Sequence, residues 1–307
     1  MEYIMRMHSV KKKYIDFTAL NGLNMNIPKH SIYGFVGKNG AGKTTLIRTI
    51  CGLQNVTEGK YELFGVSHTD SRINDVRKKI GAIIESPSLY QRMNALDNMK
   101  QRCRSLGVSS ANVKSILDFV GLGSTGKKTV KNFSLGMRQR LGIGMALCGD
   151  PEFLILDEPI NGLDPQGILE IRNLITDLNR NHGMTILISS HILDELSKVA
   201  TYYGFINNGV MINEFSSNEL ETYFHPYVHL SVTDNNVLKE YLDGNEMKYI
   251  INNDGSIDIF DTIDYSEFAI ELYRSGCKIL SINECGRNLE DFFISLVGGE
   301  NNEKNAV

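Results

Sequence analysis

The sequence GKNGAGKT at residues 37–44 decides the fold of this 307-residue chain. It matches the pattern GxxxxGK[ST] of a phosphate-binding loop, with the apolar run 32–36 before it and a helical pattern after it. In such a loop, backbone N–H groups bind phosphate oxygens, and the N-terminus of the next helix adds positive potential. A chance glycine-rich turn would not explain the flanking strand and helix. The predicted phosphate-binding residues are Gly37, Lys38, Asn39, Gly40, Ala41, Gly42, Lys43, Thr44 and Thr45.

Two side chains of this loop have expected roles of their own. Lys43 is expected to reach the β- and γ-phosphates of a nucleotide, and the hydroxyl of Thr44 is expected to bind Mg²⁺. Glycine is expected wherever a Cβ atom would block the approach of the backbone to phosphate. The loop therefore predicts a nucleotide and its magnesium ion as ligands.

A second motif, FLILDEP at residues 153–159, ends an apolar run with two acids. A carboxylate at the end of a buried strand lies beside the phosphate loop of a doubly wound sheet. We expect Asp157 to hold Mg²⁺ through water and Glu158 to act as the general base toward the attacking water. Taken alone, the two acids are equally compatible with a cap on the junction between strand and turn. Beside a phosphate loop, we favour the catalytic interpretation.

A third motif, NFSLGMRQR at residues 132–140, precedes the acid pair. Ser134 can cap the helix that follows it, and a capped helix N-terminus is an anion site. The spacing alone is also typical of an ordinary capped helix, and that alternative stays open.

The arrangement of apolar runs predicts an α/β fold. Runs at 153–156 and 185–188, separated by a helical pattern over 165–181, predict a βαβ unit with buried parallel strands. We assign residues 1–220 to this α/β domain, with a helical insertion near 87–150. Residues 221–307 predict a small C-terminal α+β domain with the element order βαββαβ of a ferredoxin-like unit.

Composition separates the same two regions. The net charge of −4 combines 26 Lys and Arg against 18 Asp and Glu in residues 1–210 with 6 against 18 in residues 211–307. The basic region could meet phosphates or an anionic membrane surface, or its cations could simply solvate helices. The five cysteines show no CxxC spacing, which favours free thiols in a reducing compartment. The first residues lack a basic-then-apolar pattern and no apolar run approaches 18 residues, so we expect neither a signal peptide nor a membrane span.

In their order and spacing, these motifs resemble those of the ATP-binding cassette (ABC) ATPases of transporters, over residues 1 to about 220. The resemblance implies a P-loop ATPase cassette fold, ATP and Mg²⁺ as cofactors, and ATP hydrolysis. The family signature LSGGQ reads FSLGM at residues 133–137, which keeps Ser134 and Gly136 and replaces the glutamine by Met137. The resemblance implies nucleotide contacts through Ser134 and Gly136.

Three further segments carry the resemblance. Residues 161–164 resemble the D-loop, which places Asp164 at the nucleotide. Residues 189–191 resemble the switch region, which gives His191 a catalytic contact with the γ-phosphate. Tyr14, after a short basic run, resembles the aromatic residue that stacks on adenine; a core tyrosine is the alternative.

Glu85 departs from the common cassette pattern, which has glutamine at this place. Its carboxylate is expected to bind Mg²⁺ or to orient the attacking water, and it adds a negative charge near the phosphates. The exchange, the length near 300, the sequence SLGMRQRLGI and the C-terminal domain resemble the subgroup that exports lantibiotics and bacitracin-like peptides. A neutral exchange of glutamine for glutamate is the alternative.

The resemblance also implies partners and a location. Two copies of the cassette would pair head to tail around ATP, and the insertion near 86–105 would receive a short helix of an integral-membrane permease. We therefore expect a peripheral protein at the cytoplasmic face of the cell membrane, with no nucleic-acid partner. Two alternatives are a soluble cassette ATPase acting on ribosomes or DNA, and an exporter subunit for a drug, lipid or polysaccharide.

Overall fold

A computed structural model describes residues 2–221, 226–252, 254–286 and 289–298. The chain divides into two compact units, Met1–Ser217 and Asn218–Val307. The division lies close to the domain boundary that we predict after residue 220. We describe each unit by itself.

The strands and helices follow one another in an order typical of a mixed α/β chain. The strands are β1 (Tyr3–Lys13), β2 (Thr18–Pro28), β3 (Ile32–Val36), β4 (Glu58–Leu63), β5 (Val66–Ser67), β6 (Ile80–Ile83), β7 (Phe153–Asp157), β8 (Thr185–Ser190), β9 (Tyr202–Asn207), β10 (Val210–Ser216), β11 (Pro226–Val232), β12 (Tyr249–Ile251), β13 (Ile257–Ile259) and β14 (Ile279–Gly286). The helices are α1 (Lys43–Ile50), α2 (Ile73–Arg77), α3 (Ala95–Leu106), α4 (Val113–Phe119), α5 (Leu135–Leu147), α6 (Pro165–Arg180), α7 (Leu193–Ser197), α8 (Ser217–Glu221), α9 (Asn235–Gly244), α10 (Tyr265–Arg274) and α11 (Leu289–Gly298).

A six-stranded sheet in the order β10-β9-β3-β8-β7-β6 forms the centre of the first unit. Its strands are parallel except for β10, which pairs antiparallel with β9. Every residue of β3, β7 and β8 is buried, which explains their continuous apolar sequences. Because β3, β8 and β7 are parallel and in register, their carboxyl ends lie side by side at one edge of the sheet. Asp157 pairs with Ser189, and Val36 pairs with Ser190.

A second sheet, in the order β2-β1-β4-β5, is antiparallel and shares one core with the central sheet. Met5 and Leu23 of the antiparallel sheet belong to the same buried cluster as Phe35 and Phe153 of the central sheet. The tight connection between β1 and β2 carries Tyr14, so this shared core fixes the position of that turn relative to the phosphate loop.

The predicted helical insertion lies between β6 and β7 and contains α3, α4 and α5. Asn94 caps α3 by accepting a hydrogen bond from the N–H of Asp97, and Ser134 caps α5 by accepting one from Met137. Cys103 and Cys148 belong to this insertion, and both are free thiols, as are Cys51 and Cys277 among the described cysteines.

The second unit contains an antiparallel sheet in the order β12-β13-β11-β14. Along residues 226–286 the elements follow the order strand, helix, strand, strand, helix, strand. Leu238 and Leu242 of α9 join Phe268 and Leu272 of α10 in a core with the sheet. The ferredoxin-like classification stays a prediction. Within the described ranges, no helix is long and apolar enough to cross a membrane.

Candidate nucleotide-binding site

The phosphate loop joins the end of β3 to the start of α1, and two of its glycines are required by packing beneath the loop. A Cβ atom on Gly37 would lie 2.6 Å from Ile206 Cγ2, and one on Gly42 would lie 2.5 Å from the carbonyl oxygen of Ala19. Gly42 also has φ of 109°, which glycine adopts readily. Glycine is therefore needed at these two places because of the neighbouring strands, whereas the sequence predicts that the phosphates require it.

Lys43 is buried at the start of α1, with 6% of its surface exposed. Its Nζ amine donates hydrogen bonds to the carbonyl oxygens of Gly37, at 2.5 Å, and Lys38, at 3.3 Å. A buried ammonium group held by the carbonyl oxygens of the phosphate loop is a suitable partner for phosphate oxygens.

Asp157 lies beside the loop, at the end of β7, with 1% of its surface exposed. The hydroxyl of Thr44 donates to its Oδ2 at 2.9 Å, and the hydroxyl of Ser189 donates to its Oδ1 at 2.5 Å. The structure thus brings together two of the three residues predicted as magnesium ligands, Thr44 and Asp157. A hydroxyl and a carboxylate are the hard oxygen donors that Mg²⁺ prefers, so this pair fits the ion.

Glu158 lies between Lys43 and His191. Its Oε1 is 3.5 Å from Lys43 Nζ, and its Oε2 is 2.7 Å from His191 Nδ1. The backbone of Glu158 has φ of 50°, and its N–H donates to the carbonyl and hydroxyl oxygens of Ser189 at 3.1 Å. A positive φ at a non-glycine residue is strained, and it persists here because these hydrogen bonds hold the turn. The predicted base, the predicted switch histidine and the phosphate-loop lysine therefore form one contiguous group.

Glu85 is placed differently from the other predicted ligands. Its Oε1 forms an ion pair of 2.6 Å with Arg48 Nη2, and both side chains are largely exposed. In the part of the chain that the structure describes, no hydrogen bond or ion pair joins Glu85 to Thr44 or Asp157. The role of Glu85 toward Mg²⁺ or water stays a prediction. None of the sequence motifs indicates Arg48 as its partner.

Tyr14 is 36% exposed, so it does not belong to the core. Its ring stacks on Phe17 at a centroid distance of 5.0 Å, and its hydroxyl donates to Gln54 Oε1 at 2.6 Å. An exposed, stacked ring at this turn fits the predicted role in binding adenine. Sequence reasoning did not identify Phe17 or Gln54. Gly52 indicates the end of α1 and the reversal of the chain before Gln54, but it does not indicate which residue Gln54 contacts.

The signature turn and the D-loop lie on the surface. Ser134 is exposed, as is Leu135 at 42%, and a Cβ on Gly136 would make only ordinary contacts, the nearest at 3.8 Å. Asp164 caps α6 by accepting a hydrogen bond of 3.0 Å from the N–H of Gly167. Among the described residues, no hydrogen bond joins Ser134 or Asp164 to the phosphate loop of the same chain.

Comparisons with known proteins agree with this geometry. A family model described as ABC transporter matches residues 20–161. The bacitracin transport ATP-binding protein BcrA of Enterococcus faecalis is 38% identical over 302 residues, which cover 97% of this chain and 98% of that protein. The chain belongs to the ABC transporter family of ATPases. This ABC ATPase is also 47% identical over 211 residues to the lantibiotic transport ATP-binding protein SrtF of Streptococcus pyogenes, covering 69% of this chain and 90% of that protein.

A solved structure supports the fold of this ABC ATPase. The present chain is similar to cbiO1 from Clostridium perfringens, part of the ABC transporter complex cbiONQ. The TM-score is 0.66 and the identity is 26%, over 72% of this chain and 92% of that chain. The predicted family and the α/β fold class of the cassette are confirmed. The chain is the ATP-binding, ATP-hydrolysing subunit of an ABC transporter, with ATP and Mg²⁺ as its cofactors.

Proposed function

We propose that this ABC ATPase powers the export of an antimicrobial peptide of the bacitracin or lantibiotic class through a separate membrane permease. The observation that carries the proposal is the full-length match to a relative named for bacitracin transport, because that match includes the C-terminal unit as well as the cassette. The glutamate at position 85 supports the same subgroup.

The contacts at the sheet edge support a division of labour in hydrolysis. Lys43 and the N–H groups of residues 37–45 bind the phosphates, and Thr44 and Asp157 hold Mg²⁺. When bound, the ion neutralises charge that develops on the phosphate oxygens. Glu158 takes the proton of the attacking water, and His191 orients the Glu158 carboxylate from 2.7 Å.

The surface position of the signature turn supports a head-to-tail pair of cassettes. Ser134 and Gly136 lie at the exposed N-terminus of α5, where an anion is stabilised by the helix dipole. In a pair, these residues and Asp164 complete the nucleotide site of the second copy. ATP then joins the two subunits, and its hydrolysis releases them.

A groove beside Glu85 supports docking of a permease. It has a volume of about 230 Å³ and runs between the end of β6 and the insertion helices α3 and α5. Ile83, Pro87, Leu89, Arg102 and Met145 are among its lining residues. A short helix of the permease would place side chains in this groove, and this docking would hold the ATPase as a peripheral protein at the cytoplasmic face of the cell membrane.

The proposal is tested by deleting the gene and measuring growth inhibition by lantibiotics, bacitracin and unrelated drugs. We expect increased sensitivity to one of the peptides and unchanged sensitivity to the unrelated drugs. Complementation with the wild-type gene restores resistance, whereas the Glu158→Gln variant does not. An unchanged response to every peptide would overturn the peptide cargo and leave the ATPase assignment intact.

A further inference from the structure

Gln54 occupies a junction between the turn that carries Tyr14 and the helix that follows the phosphate loop. Its Oε1 accepts a hydrogen bond of 2.6 Å from the Tyr14 hydroxyl. Its Nε2 donates to the carbonyl oxygen of Thr45 at 2.6 Å and to the hydroxyl of Thr49 at 3.3 Å. The Gln54 side chain thus accepts a hydrogen bond from the residue predicted to stack on adenine and donates hydrogen bonds to the helix that follows the phosphate loop.

The end of α1 explains how Gln54 reaches both partners. Gly52 has φ of 74° and follows the last turn of the helix, and the N–H of Leu53 returns to the carbonyl oxygen of Arg48 at 2.9 Å. This left-handed glycine ending reverses the chain, as in many helix C-termini. Gln54 is therefore brought back alongside the first turns of α1, next to Thr45.

The aromatic ring of Tyr14 makes contacts of its own, in addition to the hydrogen bond of its hydroxyl. Phe17 stacks on it, with an interplanar angle of 21°, and Lys12 Nζ lies 5.2 Å from its centroid. An exposed aromatic ring that is free to rotate must be ordered when a base stacks on it, and that ordering weakens binding. The contacts of Phe17, Lys12 and Gln54 order the ring before the base arrives.

We propose that Gln54 is a positioning residue for the adenine base, acting through Tyr14 and tying that ring to the peptide of Thr45. Thr45 directly follows Thr44, whose hydroxyl contacts Asp157 at 2.9 Å. The side-chain amide of Gln54 therefore fixes the position of the Tyr14 ring relative to the phosphate-binding residues. The proposal rests on the proposed function in ATP hydrolysis and on the adenine-stacking role that the family resemblance implies for Tyr14.

Replacement of Gln54 leaves other contacts between the same two segments. The N–H of Lys13 donates to the Thr57 hydroxyl at 3.0 Å, and the N–H of Thr57 donates to the carbonyl oxygen of Lys11 at 2.8 Å. Lys12 Nζ donates to the carbonyl oxygen of Asn55 at 2.8 Å. We therefore expect Gln54→Met, which keeps the side-chain length and removes both polar groups, to fold.

The test measures steady-state ATP hydrolysis by the full-length protein. Gln54→Met is expected to raise KM for ATP roughly 2- to 10-fold and to leave kcat within about 2-fold, because it affects ring order and not the reacting atoms. Tyr14→Phe keeps the ring, removes the hydroxyl and is expected to show the same change. The double variant is expected to show no change beyond that of Gln54→Met, because Tyr14→Phe removes only the Tyr14–Gln54 hydrogen bond, which Gln54→Met has already broken. Gln91→Met makes the same chemical change at an exposed glutamine outside the site and serves as the matched control.

A phosphate-only competitor distinguishes the base side from the phosphate side. The inhibition constant of inorganic tripolyphosphate is expected to stay unchanged in Gln54→Met. An equal loss of tripolyphosphate binding, or additive effects of Gln54→Met and Tyr14→Phe, would overturn the proposal. Tyr14→Ala tests the underlying role separately, and we expect it to raise KM for ATP about 5-fold or more. If Tyr14→Ala raises KM but Gln54→Met does not, only the role of Gln54 fails. If Tyr14→Ala has no effect, the adenine role of Tyr14 fails as well.

Discussion

Glu158 Oε1 lies 3.5 Å from Lys43 Nζ, so the acid proposed to activate water also neutralises the lysine proposed to bind phosphate. Both groups are shielded from solvent, with Lys43 6% and Glu158 19% exposed, and opposite charges interact more strongly there than at the surface. The γ-phosphate of ATP would compete with Glu158 for the lysine. Arrival of the nucleotide would thereby free the Glu158 carboxylate for its work on water.

Glu158→Gln keeps the shape of the side chain and removes its charge and basicity. Since general-base catalysis contributes about 10²- to 10⁴-fold, we expect steady-state phosphate release to fall by about that factor. ATP binding is retained, and size-exclusion chromatography with ATP is expected to show a stable dimer. Unchanged steady-state hydrolysis in this variant would contradict the role of Glu158 as the base.

Lys43→Ala removes the cation from the phosphate loop and leaves Glu158 without its counter-ion. We expect loss of ATP binding, measured by equilibrium titration with a fluorescent ATP analogue, and loss of turnover. Lys60→Ala, an exposed lysine on β4, is the matched control and is expected to bind ATP like the wild type. Binding by Lys43→Ala equal to that of the control would exclude Lys43 as a phosphate ligand.

Arg48 is expected to compensate the charge that glutamate introduces at position 85. Arg48→Gln leaves the Glu85 carboxylate without its 2.6 Å partner near the phosphates, so we expect a higher KM for ATP. In a Glu85→Gln background the same replacement is expected to have no effect, because no carboxylate remains to be compensated. The pair is exposed, so its coupling energy should be at most about 1 kcal/mol and should decrease with added salt.

This double-mutant cycle is measured by determining KM for ATP of the four proteins at low and at high ionic strength. Equal effects of Arg48→Gln in both backgrounds would show that the two residues act independently. In that case the ion pair would have no bearing on nucleotide binding.

Glu214 predicts a dependence of stability on pH. It accepts hydrogen bonds from the N–H of Asn26 at 2.9 Å and from the Tyr33 hydroxyl at 2.7 Å, yet its burial raises the pKa of the carboxyl above the ordinary value of 4.5. A pKa raised by folding means that the folded state binds the proton more tightly than the unfolded state. The stabilisation from Glu214 is therefore complete below pH 4.5 and is lost as the pH rises through the folded pKa.

Glu214→Gln has no proton to lose at this position, so it isolates the contribution of Glu214. Urea unfolding of both proteins at pH 4.5 and at pH 7 is expected to show that the wild type loses stability relative to the variant as the pH rises. A constant difference between the two proteins at both pH values would show that the folded and unfolded pKa values of Glu214 are equal.

The phosphate loop and the acid pair could be predicted from the sequence because their signals are local. A glycine pattern after an apolar strand and two acids at the end of another each mark the carboxyl end of a parallel strand. Such ends meet at one edge of a sheet. The contact between Thr44 and Asp157 follows from that topology, although the two residues are far apart along the chain.

Other contacts could not be predicted, because they depend on how separate elements pack. The Arg48–Glu85 and Tyr14–Gln54 pairs join residues 37 and 40 positions apart, and no sequence motif records either pairing. The reason for Gly37 was also not predictable, since the atoms that exclude its Cβ belong to Ile206, on the last parallel strand of the sheet. In each case the residue type is explained by a neighbour that only the folded chain supplies.

The hydroxyl groups of Thr44 and Ser189, which both donate to the Asp157 carboxylate, affect the energetics of repeated turnover. Thr44 and Ser189 each occupy one carboxylate oxygen, so the side chain of Asp157 is fixed before any ligand is present. Its rotational entropy is lost once, when the chain folds, and not again each time ATP binds and its products leave. The Asp157 carboxylate thus keeps one orientation throughout the catalytic cycle, so no ordering of this side chain is needed each time a cation binds.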